Sequence, residues 1–177
     1  MNSETVSKKK ISIAIAVVIV MQILVLAGEY LGAVYPLWVG QEVKLKTVPI
    51  DPRSMFRGNY ARLNYAISQV FVTDQTIHLK PRFGEIIYVS LKENEEGIHE
   101  LSGASFNKPK SGLYIRGRVN DRWITGNKYR VKYGIEAFFA PKEKALALEK
   151  DLRGGGVAVV QIASNGKPAL KDVIPKS

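Results

Sequence analysis

DPRSMFRGNYARLNY, residues 51 to 65, packs an Asp-Pro turn, three arginines and three aromatics into fifteen residues. Pro52 fixes its φ angle and Asp51 can bond the backbone that follows, so the stretch predicts a turn. Just upstream, QEVKLKTVPI alternates apolar and polar at Val43, Leu45 and Thr47, the period of a strand. Downstream, Asn59 to Ser68 alternates again, with Tyr60, Leu63 and Tyr65 as its large residues. Tyr60 and Leu63 are out of phase, and a bulge between them would restore the register.

Working outward, the same alternation predicts strands at 85–91 (EIIYVSL), 98–102, 113–119 (LYIRGRV) and 128–136 (KYRVKYGIE), separated by Asn-Asp and Gly-Asn turn signals. GVAVVQIASNGKPALKDVI predicts a β-hairpin turning on Asn165-Gly166, a pair suited to a type I′ turn. One helix is expected over 141–154, opened by Pro141, closed by Gly154 and striped by Ala145, Leu148 and Leu152. The fold class is therefore α+β: a mainly antiparallel β domain with one packed α-helix, preceded by a single N-terminal transmembrane helix.

That first helix is read from ISIAIAVVIVMQILVLAG, residues 11–28, which contains no charged residue. At 1.5 Å per residue the run spans roughly 27 Å, near the thickness of a hydrocarbon core. A cleaved signal peptide ending at Ala27 is the competing reading, since Lys8, Lys9 and Lys10 form a positive n-region. The apolar character continues after Glu29, however, with Tyr30, Tyr35 and Trp38 suited to headgroup level, which favours an uncleaved anchor. The lysines favour a cytoplasmic N-terminus. Residues 1–10 would then be cytoplasmic, 11–39 the anchor in the lipid bilayer with its juxtamembrane segment, and 41–177 an extracytoplasmic β-rich domain at the cell (inner) membrane.

The 177-residue chain has no cysteine, which leaves out disulfides and thiolate metal sites, and carries 26 Lys+Arg against 16 Asp+Glu. Residues 41–177 hold 23 of those cations and 14 of those anions. A basic domain tethered at a membrane is suited to anionic headgroups or an acidic partner domain, whereas nucleic acid is not expected in that compartment.

The stretch beginning at Gly58 resembles the signature of the GDYXXLXY proteins, Gly-Asp-Tyr-x-x-Leu-x-Tyr. Gly58, Tyr60, Leu63 and Tyr65 match, and Asn59 stands where the family usually has Asp. The resemblance extends to a Pro-x-Asp-Pro-Arg run at Pro49, Asp51, Pro52 and Arg53, and to Tyr-Gly-Ile-Glu-x-x-Phe at Tyr133, Gly134, Ile135, Glu136 and Phe139. It covers about residues 11 to 173 and implies an N-terminal membrane helix, with an acidic residue near the position of Glu29. It implies no particular reaction.

Asp51, Arg53, Arg57, Gly58, Tyr60, Leu63 and Tyr65, with Tyr133, Gly134 and Glu136 as a second half, form the candidate binding site. The glycines would supply permissive backbone, and the arginines would contact a carboxylate or phosphate. The alternative for Arg53 or Arg57 is an internal ion pair with Glu136. Tyr60, Tyr65, Tyr133, Phe138 and Phe139 suit a sheet core better than a ligand groove.

A serine peptidase is the catalytic alternative, because Ser54-Met55 soon after an anchor is faintly similar to the Ser-Met of signal peptidases. Such a serine needs a desolvated lysine as base. Tyr114-Ile115-Arg116 places arginine where that family places its lysine, and arginine does not deprotonate. Lys80 or Lys92 would serve only inside an apolar pocket.

His78 and His99 lack a matching acidic cluster and suit surface or loop positions. The run Glu93, Glu95, Glu96 and Glu100 lacks calcium-loop spacing and suits a solvated hairpin tip. Gly154 to Gly156 follow a helix rather than opening one, so they do not form a phosphate cradle. No catalytic residue, metal or cofactor is expected. The sequence points to a non-enzymatic binding or accessory subunit acting with an integral membrane partner or an anionic envelope component.

Overall fold

The computed structural model describes residues 3–49, 60–72, 81–120, 128–139 and 152–175. It divides into two compact units, residues 1–35 and 36–177. Nearly all of the first unit lies in the helix α1 (Ser3–Val39). Its span Lys9–Val39 is 31 residues long with a mean hydropathy of 2.8, long and apolar enough to cross a membrane. Large apolar side chains lie exposed all round it, from Ile11 through Leu26 to Leu31. A helix apolar on every face suits a hydrocarbon environment rather than a protein surface.

The second unit is built from strands. Among the described residues these are β1 (Gln41–Thr47), β2 (Tyr60–Arg62), β3 (Gln69–Phe71), β4 (Ile86–Glu93), β5 (His99–Ser105), β6 (Tyr114–Val119), β7 (Lys128–Lys132), β8 (Ala137–Phe139), β9 (Gly156–Ile162) and β10 (Pro168–Pro175). Eight of them form one sheet in the order β10-β9-β1-β5-β4-β6-β7-β3, and β2 pairs with β8 separately. Among the described residues only β1 and β5 pair in parallel, at Leu45 and His99. The domain is thus mainly antiparallel, as its alternating sequence predicts.

Alternation also sets the core. Val43 and Leu45 of β1, Ile87 and Val89 of β4, Ile115 of β6, Val131 of β7 and Val160 of β9 point inward and are buried. The sheet curls, because the tip of the β9–β10 hairpin returns to β6. There Arg116 N donates to Gly166 O at 2.8 Å and Tyr114 Oη donates to Ser164 O at 2.9 Å. On the other side, residues 63–68 cross the gap between β1 and the end of β7.

Several expectations are refined. Residues 60–68 are not one bulged strand: β2 ends at Arg62, Tyr65 makes a single bridge to Thr47, and a 3-10 turn over Ala66–Ser68 leads into β3. The phase break between Tyr60 and Leu63 is where the chain passes from one sheet to the other. The hairpin at Asn165-Gly166 does form, with Gly166 at φ 80°, but no non-glycine residue has positive φ among those described. A type I′ turn needs positive φ at both central residues, and Asn165 does not have it, so this turn is of another kind, braced by Lys167 N donating to Asn165 Oδ1. Most of the helix expected over 141–154 lies outside the described residues, and its end, Leu152–Gly154, is a 3-10 turn. His99, expected at a surface or loop position, is buried on β5, and its Nδ1 has no hydrogen-bond partner among the described residues. The acidic run does form the β4–β5 hairpin tip, where Asn94 Oδ1 accepts from Glu96 N and Ile98 N.

Candidate functional site

Leu63 and Tyr65 follow β2 directly, and their side chains turn into the core with 3% and 2% exposure. Tyr133 and Gly134 follow β7, where a glycine at φ 84° turns the chain toward β8. That conformation is open to glycine without a Cβ penalty. The two turns meet face to face. Tyr65 Oη donates to Ile135 O at 2.6 Å, and Tyr133 Oη donates to Ile67 O at 2.6 Å. Each hydroxyl therefore reaches the carbonyl two residues beyond the other tyrosine. The rings pack edge to face, with centroids 6.5 Å apart and planes at 79°.

Glu136 completes this clamp through both its side chain and its backbone. Its Oε1 accepts from Tyr133 N at 2.6 Å and its Oε2 from Gly134 N at 2.9 Å, so the carboxylate caps the turn it belongs to. Its carbonyl accepts from Leu63 N at 2.8 Å. Beyond these, β2 and β8 pair from Tyr60 with Phe139 to Arg62 with Ala137. Ser68, buried, turns Oγ back to accept from Tyr65 N at 3.2 Å. Burial raises the phenol pKa of both tyrosines well above the ordinary range, and the Glu136 carboxylate raises it further. Both are neutral donors at any physiological pH.

The clamp also fixes what flanks residues 50–59. On one side Val48 N donates to Asn64 O at 2.9 Å and Thr47 bridges Tyr65; on the other Tyr60 is held in β2. Asp51, Arg53, Arg57 and Gly58 lie outside the described residues, as do Ser54, Lys80 and His78. Of the candidate site, the structure brings together Leu63, Tyr65, Tyr133, Gly134 and Glu136, with the Tyr60 backbone beside them. The side chains of Leu63, Tyr65 and Tyr133 face inward, so their part in any binding is to hold backbone in place. Phe138 is half-buried against the core, while Phe139 is 76% exposed. Lys92 is exposed on β4 opposite Glu100, not in the apolar pocket that a base would need.

The sequence reading missed the partners of the tyrosines, Ile67 and Ile135, because they take part through backbone carbonyls that any residue supplies. It also missed a row of cations on the outer face of β6 and β7. The signal for that row was present: KYRVK at 128–132 puts Lys128, Arg130 and Lys132 on one face of a strand.

Comparison with known proteins returns no matching curated protein and no matching solved structure. The family model described as GDYXXLXY protein matches residues 22–173, a range that holds both halves of the tyrosine clamp, and the chain belongs to the GDYXXLXY protein family.

Proposed function

We propose that this protein is a membrane-anchored, extracytoplasmic binding or accessory protein that acts with an integral membrane partner or an anionic envelope component. In this reading α1 crosses the cell (inner) membrane once. Lys8, Lys9 and Lys10 hold its N-terminus in the cytoplasm, and the β domain faces outward. The observation that carries the proposal is the clamp. Tyr65 and Tyr133 spend their hydroxyls on backbone carbonyls inside the domain, and the hydrogen bonds around them fix Val48 and Tyr60, the flanks of residues 50–59. The clamp is then a frame, Asp51 locks the turn it carries by bonding to the backbone, and Arg53 and Arg57 are the groups that meet an acidic partner, with guanidinium forks suited to carboxylate or phosphate.

The test is crosslinking and affinity purification of the intact protein from native membranes, read by mass spectrometry beside an Arg53→Ala/Arg57→Ala variant. Recovery of one membrane protein or envelope component by the wild type, lost in a variant of unchanged melting temperature, is the expected result. Equal recovery by both proteins would remove the arginines from the interface. A variant that no longer folds would make them part of the frame.

A further inference from the structure

We propose that the outer face of β6, β7 and β3 is a docking surface for the anionic phospholipid headgroups of the bilayer that α1 enters; this rests on the anchor reading above. Strand alternation turns Arg116 and Arg118 of β6, and Lys128, Arg130 and Lys132 of β7, to the same side of the sheet. Arg118 stands directly opposite Lys132. Like charges in that position destabilise a sheet, and the Arg118 guanidinium, which donates from Nη1 to Gly84 O at 2.9 Å, meets a neutral acceptor there that leaves its positive charge in place. The outward residues of β3 are Gln69, opposite Arg130, and Phe71, opposite Lys128, so among the described residues of these three strands no acidic side chain interrupts the row.

Two nearby carboxylates are turned to backbone amides instead. Glu85 Oε2 accepts from Arg82 N at 2.7 Å, and Glu136 accepts from Tyr133 N and Gly134 N. The far end of the sheet behaves differently. There Lys171 pairs with Glu42 at 2.8 Å, and that hydrogen bond holds the Glu42 carboxyl below its usual pKa.

Phe71 adds the second element of the surface. Its ring is 61% exposed at the edge strand, and Lys128 Nζ lies 5.6 Å from its centroid. Several cations beside an exposed aromatic on a sheet face make a surface suited to a charged interface with an apolar layer beneath it. Charge complementarity and a covalent tether select the lipid. The domain begins at Gln41, one residue after α1 ends, so anionic headgroups are present at high effective concentration.

The chain has no native cysteine, so single-cysteine variants can be labelled cleanly. Full-length Gln69→Cys, bearing an environment-sensitive fluorophore, is reconstituted in nanodiscs of phosphatidylcholine alone or mixed with phosphatidylglycerol. A Lys46→Cys probe on β1 serves as control. The expected result is a blue shift at position 69 only in the anionic discs, reversed by high salt. It should be lost when Arg118, Arg130 and Lys132 are changed to Gln, each removed charge weakening the docked state roughly fivefold. Gln is used in place of Glu so that the variant keeps its fold, checked by circular dichroism.

Identical emission in both kinds of disc overturns the proposal and leaves the anchor intact. A blue shift that survives in the Gln variant also overturns it. Capture of an acidic protein on this face without lipid dependence would replace lipid as the occupant. Failure to enter nanodiscs at all would overturn the anchor, and this surface with it.

Discussion

Tyr65 and Tyr133 hold each other's backbone, since the hydroxyl of each donates at 2.6 Å to the carbonyl two residues past the other. The exchange joins two turns far apart in sequence. Replacing either tyrosine by phenylalanine leaves one buried carbonyl without its donor, at a cost of about 1–3 kcal/mol. Tyr65→Phe and Tyr133→Phe should each lower stability by that amount in a urea titration of the detergent-solubilised chain. Because the rings touch, the double variant should depart from additivity by at least about 0.5 kcal/mol. Additive losses would mean that the two halves act independently.

Alkaline pH tests the same pair. Burial raises both phenol pKa values above their ordinary 10.0, so the folded protein keeps protons that the unfolded chain releases. The stabilisation is fully present below pH 10 and is lost as pH rises beyond it. Each tyrosine contributes a slope of up to about 1.4 kcal/mol per pH unit. The Tyr65→Phe/Tyr133→Phe variant should show a shallower fall in stability above pH 10 than the wild type. Parallel slopes would count against burial of the hydroxyls.

Gly117 on β6 lies under the clamp. A Cβ there would overlap Val131 Cγ1 and come within 3.0 Å of the Tyr133 ring. Gly117→Ala should cost about 1–3 kcal/mol through overpacking. Val131→Ala removes the overlapping methyl, so the double variant should be destabilised by less than the sum of the two. Melting temperatures of the four proteins decide this.

Gly134 differs in kind, because a Cβ there would meet none of the described residues within 4 Å, and its φ of 84° is what a side chain would strain. Gly134→Ala should cost about 1–2 kcal/mol, and Gly134→Asn less, since asparagine visits this region more readily. Equal losses in chemical denaturation would point to a steric cause instead.

Much of this fold was legible because strands announce themselves by period. Val43, Leu45 and Thr47, or Tyr129 and Val131, alternate and face inward as their spacing requires. What was not legible depends on contacts between distant segments. Nothing local in NYARLNYAIS shows that β2 ends at Arg62 while Tyr65 joins another sheet, because both pairings are made with segments distant in sequence, β2 with β8 and Tyr65 with Thr47. Tyr65 and Tyr133 could be singled out from the family resemblance, yet their direction could not. A core place suited each aromatic better than a groove, but that each hydroxyl would reach a carbonyl of the other turn depended on the fold. Lys128, Arg130 and Lys132 were readable as a face, but seeing them beside Arg118 required the register between β6 and β7.

The place of β1 sets the order in which the domain can be made. It is the first strand after the helix, yet it lies inside the sheet, with β9 along its whole length on one side and β5 on the other. Gly40 leaves no slack at its start, since a Cβ there would overlap Pro36 O and lie 2.9 Å from Ile162 N. A chain synthesised from its N-terminus must therefore hold β1 unpaired on one edge until β9 arrives. Long-range pairing of this kind is slow and exposes strand edges. Truncation of the last twenty or so residues would thus leave the first strand open as well as removing the last, making the C-terminus the checkpoint for the whole domain.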